Sequence, residues 1–251
     1  MIPFVPAIVP NIVQALVFVL ALALCLAPAM RRYPIAFYAL FIAASALTFV
    51  KAVLDAPLLG TFVQLLASCY TGVAFYLLVM FAGALPKTWQ FTKRLLSVRS
   101  EMSIIGGFVI GAHVLKVLML VPLSFSAYWP FIWGAAAPVM FAAVSVVGVP
   151  LLVCFLLPWI TSFRFVRRRM GYRSWKRVQR LAYPFMALLI MQGILLAVGH
   201  GLYVGLSSAE GTRYLVIATT YALIGVAYLA LKLVWRVEGA PSARSASGTG
   251  G

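Results

Sequence analysis

The sequence predicts an all-α fold, a polytopic integral membrane helical bundle of about seven transmembrane helices. Three observations carry that prediction. The 251-residue chain is 64% hydrophobic, with a mean hydropathy of +1.05 and only 10% charged residues. That leaves too little polar surface to cover a water-soluble globule. Its apolar stretches run for about 20 residues, the length that crosses roughly 30 Å of hydrocarbon. Its charges fall in short blocks between those stretches. The densest block, RFVRRRMGYRSWKRVQR from Arg164 to Arg180, holds eight of the twenty Lys and Arg residues and no acid.

The predicted spans are 7–29, 35–54, 60–85, 102–122, 136–159, 182–206 and 214–235. Each must be helical, because every backbone polar group in lipid needs a partner within its own segment. The first run ends at Arg31 and Arg32. Pro34 and Pro57 bracket the second, Gly60 and Pro86 the third, and Pro122 closes the fourth. Pro130 precedes the fifth, the long basic block separates fifth from sixth, and Gly211 precedes the seventh. Residues 1–10 have no positive n-region, so no cleavable signal peptide is expected.

Orientation follows from the charges. With seven spans, 17 of the 20 basic residues fall on one side; only Lys51, Lys116 and Arg213 remain. The positive-inside rule then places the N-terminus outside and the C-terminus in the cytoplasm. An even number of spans would put the basic C-terminal end on the poor side. The expected outer connection at 123–133 is aromatic, with Phe125, Tyr128, Trp129, Phe131 and Trp133 suited to an interfacial belt. The net charge of +16 thus reads as topology signal and anionic-lipid contact, with no nucleic-acid partner. The cytoplasmic membrane of a prokaryote is the expected location. Cys25, Cys69 and Cys154 lie inside apolar runs and read as small buried hydrophobes.

Polar groups in mid-span are costly and therefore candidate functional groups. The fourth span carries His113 and Lys116, the sixth Gln192 and His200, the third Gln64, the first Gln14; Lys51 lies near the outer end of the second. A neutral His113 suits a haem iron or another metal, or else a hydrogen bond to a neighbouring helix. Lys116 can snorkel, or attract an anionic headgroup or a quinone carbonyl. His200 is expected near the outer interface. Gly107 and Gly111, and the stripe Gly193, Ala197, Gly201 and Gly205, suit either close helix packing or a flat macrocycle. The four acids, Asp55, Glu101, Glu210 and Glu238, all fall near membrane edges. That argues against a proton-driven transporter, and a retinal pump would need a mid-span lysine in the last helix, where Lys232 is too near the cytoplasmic end, and an acidic counter-ion, which is missing. No GxSxG, HExxH or P-loop occurs.

Two stretches carry a resemblance. The segment ITSFRFVRRRMGYRSWKRVQRLAYPF, Ile160 to Phe185, and RSEMSIIGGFVIGAH, Arg99 to His113, together resemble the ferric-reductase-like transmembrane domain superfamily. That group includes the haem subunit of periplasmic methionine-sulfoxide reductase systems and the membrane part of NADPH oxidases. The resemblance implies a six-helix membrane domain over 30–236 with an extra N-terminal helix over 1–29; the Gly/Ser-rich composition of the C-terminal end separately predicts a disordered tail over 237–251. The resemblance also implies haem ligands in two helices at spacings of fourteen and thirteen. Carried over, these positions are Arg99, His113, Gln179 and Gln192, of which only His113 keeps a ligand type. Met191 and His200 are the other soft or nitrogen donors in the sixth span.

The expected function is therefore that of an integral membrane subunit for transmembrane electron transfer. It would bind one b-type haem, with His113 on the iron, or a quinone at His113 and Lys116. Its electrons would come from a separate redox partner, since no flavin or NADPH domain is expected. The alternatives are a haem-less, non-redox subunit that binds a partner protein, and a small-solute permease.

Overall fold

The structure is a computed structural model that describes residues 9–124 and 133–238. All regular structure among those residues is helical. Among the described residues, five helical stretches are long and apolar enough to cross a membrane: 57–82, 99–119, 134–160, 172–204 and 209–234. Two shorter apolar helices, Asn11–Cys25 and Pro34–Leu47, precede them. The protein is thus membrane-embedded and multi-pass. Of the expected aromatic connection at 123–133, residues 125–132 lie outside the described residues; of the tail expected over 237–251, residues 237 and 238 belong to the last helix and 239–251 lie outside the described residues.

The elements follow from their end signals. Helix α1 (Asn11–Cys25) stops at Leu26 and resumes as α2 (Ala27–Arg32). Pro28 sits in the first turn of α2, where its missing N–H is tolerated but a continuous helix would be broken. Pro34 opens α3 (Pro34–Leu47), and Pro57 opens α5 (Pro57–Ala67) after the short α4 (Lys51–Asp55). These prolines mark starts that the sequence shows. The chain also breaks where no proline or glycine signals it. α3 ends at Thr48, with Thr48 Oγ1 donating back to the Ser45 carbonyl at 2.6 Å.

The second such break falls inside the third expected span. Ser68 is extended (φ −69°, ψ 153°), separating α5 from α6 (Cys69–Ala82). Its Oγ accepts from the Thr71 amide at 3.2 Å, which makes it the N-cap of α6. Thr71 Oγ1 in turn donates to the Leu65 carbonyl at 2.7 Å. Ser68 and Thr71 thus supply partners for backbone groups at the interruption, as lipid requires.

α6 is the central element. The window of its span is 72% buried, against 39% for the span of α8 (Arg99–Ser124). α6 packs on α1 and α8, while α8 also packs on α3. Ala15, Val19, Phe41, Phe75, Met102 and Ile105 form the core of that half, with the Phe41 and Phe75 rings edge-on at 5.5 Å. The other half comprises α9 (Ala137–Ile160), α12 (Ala182–Val204) and α13 (Ala209–Glu238). α12 packs between α9 and α13. Tyr76 of α6 joins the halves: its ring meets Phe155 at 5.6 Å and Phe185 at 5.2 Å, and its hydroxyl donates to the Ser103 carbonyl at 2.9 Å. α12 ends at Gly205, whose φ of +85° favours glycine.

The basic segments meet at one end of the bundle. α7 (Gln90–Ser97) packs against α1 and α2. Glu101, at the start of α8, lies 3.7 Å from Arg164 of α10 (Arg164–Arg169). Lys232 donates to the Gly83 carbonyl at 3.3 Å and lies 5.3 Å from the Tyr183 ring centre. The Arg99 guanidinium reaches the same Gly83. The turn after α2, the segment before α8, the 164–180 block and the end of α13 therefore share a face.

Candidate functional site

α8 presents His113 and Lys116 to one cavity. Its volume is about 240 Å³, and its polar wall also includes Thr48, Gln64, Ser68 and Cys69. Each arrives there for a local reason. His113 and Lys116 are three residues apart, so they share a helix face. Thr48 stands at the end of α3, and Ser68 and Cys69 at the interruption between α5 and α6. Leu54 of α4 and Ala112 of α8 complete the walls.

Lys116 has a definite partner. Its Nζ donates to the Thr48 carbonyl at 2.8 Å and lies 5.4 Å from the Phe49 ring centre. The ammonium thus sits on the carbonyl end of α3, where the helix dipole favours positive charge. An ammonium has three N–H donors, so two remain beyond the bond to Thr48. His113 is exposed at the cavity mouth, and so is Gln64. No carboxylate lines the cavity. The arrangement offers N–H donors and positive charge to a ligand that brings oxygen acceptors.

The other carried-over positions lie elsewhere. Gln179, at the end of α11 (Tyr172–Gln179), donates from Nε2 to the Pro158 carbonyl at 3.1 Å and to Thr161 Oγ1 at 2.9 Å. Trp175 Nε1 donates to the Thr161 carbonyl at 3.2 Å. Both side chains close the carboxyl end of α9, whose last carbonyls have no helical partner. Gln192 faces α9 at Gly148, and its Oε1 is buried with no hydrogen-bond partner among the described residues. Arg99 begins α8 at the basic end, fourteen residues or roughly 21 Å from His113.

These positions do not fit a haem. A macrocycle would have to lie between α8 and α12, yet α8 packs chiefly on α6 and α3, and α12 on α13 and α9. The face of α8 at Gly107 is filled by the Trp159 indole, whose Nε1 donates to the Ile104 carbonyl at 3.3 Å. Trp159 is itself held by Phe155, stacked at 5.9 Å, and by Phe108 and Phe163, each at 5.6 Å. Gly193 is covered by the Tyr221 ring and Gly199 by Met140. Of the two glycine stripes, Gly107, Gly193 and Gly201 are packed against side chains, whereas a Cβ at Gly111 or Gly205 would meet nothing within 4 Å. His200 is half-buried, donates from Nδ1 to the Leu196 carbonyl at 2.7 Å, and lies between Trp133 and Tyr214 at 5.4 and 5.2 Å. No group of three or more His, Cys, Asp or Glu side chains that could hold a metal occurs among the described residues.

Sequence reasoning found His113, Lys116 and Gln64 but missed Thr48 and Ser68. Both are polar residues within apolar runs, and that was the available signal.

No family model matches the chain, and no solved structure matches it. The chain is 31% identical over 165 residues to a protein of Treponema pallidum (strain Nichols) described as "Uncharacterized protein". The match takes in 64% of this chain and 43% of that relative, so the chain spans less than half of the relative's length.

Proposed function

We propose that this protein is a haem-free, seven-span subunit of a prokaryotic cytoplasmic membrane that binds a quinone-class headgroup in the cavity at Lys116 and His113. Its N-terminus lies outside and its C-terminus in the cytoplasm, in accord with the gathering of the basic segments at one end. The observation that carries the ligand reading is the acid-free cavity, in which Lys116 and His113 both face a space of about 240 Å³. A quinone headgroup is flat and apolar and carries two carbonyl acceptors. Its carbonyls would take the free Lys116 donors and the His113 ring N–H. Its tail would leave past the exposed His113 and Gln64 into lipid. The redox partner that supplies or removes electrons is a separate polypeptide.

A second reading, a non-redox subunit that binds a partner protein, is favoured by the use of Gln179 as a helix cap. The experiment is a titration of the purified protein with a short-chain quinone, followed by quenching of tryptophan fluorescence. Saturable quenching that His113→Ala and Lys116→Ala each weaken supports the quinone site. Quenching that is non-saturable, or unchanged in both variants, removes it and leaves the partner-binding reading. A dithionite-reduced spectrum of the same preparation, made with haem available, should show no b-type band.

A further inference from the structure

A second pocket lies at the basic end, remote from Lys116, and its lining is built from two elements. Arg31 and Arg32 occupy the last turn of α2, and Arg94 and Ser97 the last turns of α7. With Ala27 and Pro28 they enclose an open pocket of about 460 Å³. The two elements are held in register from behind: Ala27, Met30, Leu95 and Val98 are all buried in the same core cluster. The spacing of the three arginines is therefore set by packing.

The three arginines face that pocket without counter-charge. None of them is paired with a carboxylate among the described residues, where the ion pair found is that of Arg164 with Glu101. Arg32 lies against the Tyr33 ring at 5.3 Å. Three guanidinium groups around one space would repel each other. An anion with several oxygens relieves that repulsion, and phosphate matches the planar guanidinium fork in two-point hydrogen bonding.

The surroundings say where such an anion comes from. Pocket residues Ala27 and Pro28 directly follow Leu26, which is 42% exposed, and nearby Ile35 is 78% exposed. Both are apolar side chains with no protein cover. Tyr33, next to Arg32, and Trp89, just before α7, are also exposed, and both are residue types that settle at headgroup depth. An occupant anchored here by its phosphate would have acyl chains alongside Leu26 and Ile35. We infer that Arg31, Arg32 and Arg94 form a binding site for the phosphate of one anionic phospholipid. The inference does not depend on the quinone reading.

The test uses the full-length protein in detergent, with phosphatidylglycerol or phosphatidylcholine added and retained lipid counted by native mass spectrometry. Replacing all three arginines by lysine (R31K, R32K, R94K) keeps the charge but removes the fork. A matched control, R167K, R168K and R169K, changes three arginines of the 164–180 block. The expected result is one retained phosphatidylglycerol in the wild type and in the control, and its loss from the pocket variant. Each single Arg→Gln change in the pocket should weaken retention by about fivefold. Equal retention by the pocket lysine variant overturns the site, since charge alone would then suffice. So does displacement of the lipid by millimolar inorganic phosphate, which would assign the pocket to a soluble anion. Circular dichroism of each variant checks that it remains folded.

Discussion

Lys116 of α8 donates from its ammonium to the carbonyl of Thr48 at 2.8 Å, tying the middle of α8 to the end of α3. A charge that deep in an apolar helix would be costly alone. Here it closes a helix end whose carbonyls would otherwise lack partners. Lys116→Met keeps the aliphatic stem and removes the donor. Thermal unfolding in detergent should show a loss of about 1–2 kcal/mol. An unchanged melting temperature would show that the contact does not hold α3.

Topology gives a second expectation. Ser97 is exposed at the basic end, and Ser207 is exposed in the turn between α12 and α13. In a background with Cys25, Cys69 and Cys154 replaced by Ala, an impermeant maleimide on intact cells should label Ser207→Cys. It should reach Ser97→Cys only after the cells are opened. The opposite pattern would invert the proposed orientation.

The packing of Gly107 against Trp159 is a third. A Cβ at Gly107 overlaps the indole, so Gly107→Ala should destabilise by about 1–3 kcal/mol. Trp159→Leu opens space at the cost of aromatic contacts. The double variant should lose less than the sum of the two single changes, a coupling that a double-mutant cycle of melting temperatures measures.

Gln179 supplies a fourth. It stands where the resembled pattern has a haem-ligating histidine, yet its amide closes the end of α9. Gln179→His restores the imidazole and should still give no b-type band in a reduced spectrum. Gln179→Leu should cost about 1–2 kcal/mol, with a smaller loss in a Thr161→Val background, where one of its two acceptors is already gone.

The sequence made the long helices legible because their signals are local. Apolar length marks 134–160, Pro34 and Pro57 mark helix starts, and the arginines mark the basic end. The interruptions at Thr48 and Ser68 were not legible, since neither residue breaks helices by its own propensity. Both are held by hydroxyl bonds to backbone groups three residues away, Thr48 Oγ1 donating to the Ser45 carbonyl and Ser68 Oγ accepting from the Thr71 amide. The site was legible by half. His113 and Lys116 stood out as ionisable groups in lipid, but the Thr48 carbonyl facing Lys116 lies 68 residues away and leaves no trace in spacing. The resemblance placed Gln179 and Gln192 with His113. In the structure both glutamines face α9, and the Trp159 indole fills the face of α8 at Gly107.

The brevity of α3 bears on the lipid around the protein. Its 14 residues rise roughly 21 Å, whereas the 24 residues of α9 rise roughly 36 Å. A bilayer with a hydrocarbon core of about 30 Å fits neither. In the proposed seven-span topology the annulus beside α3 would thin, while α9 would satisfy its excess by leaning. In that arrangement the protein would act on its membrane as a wedge, with lipids of differing chain length sorted to its two flanks.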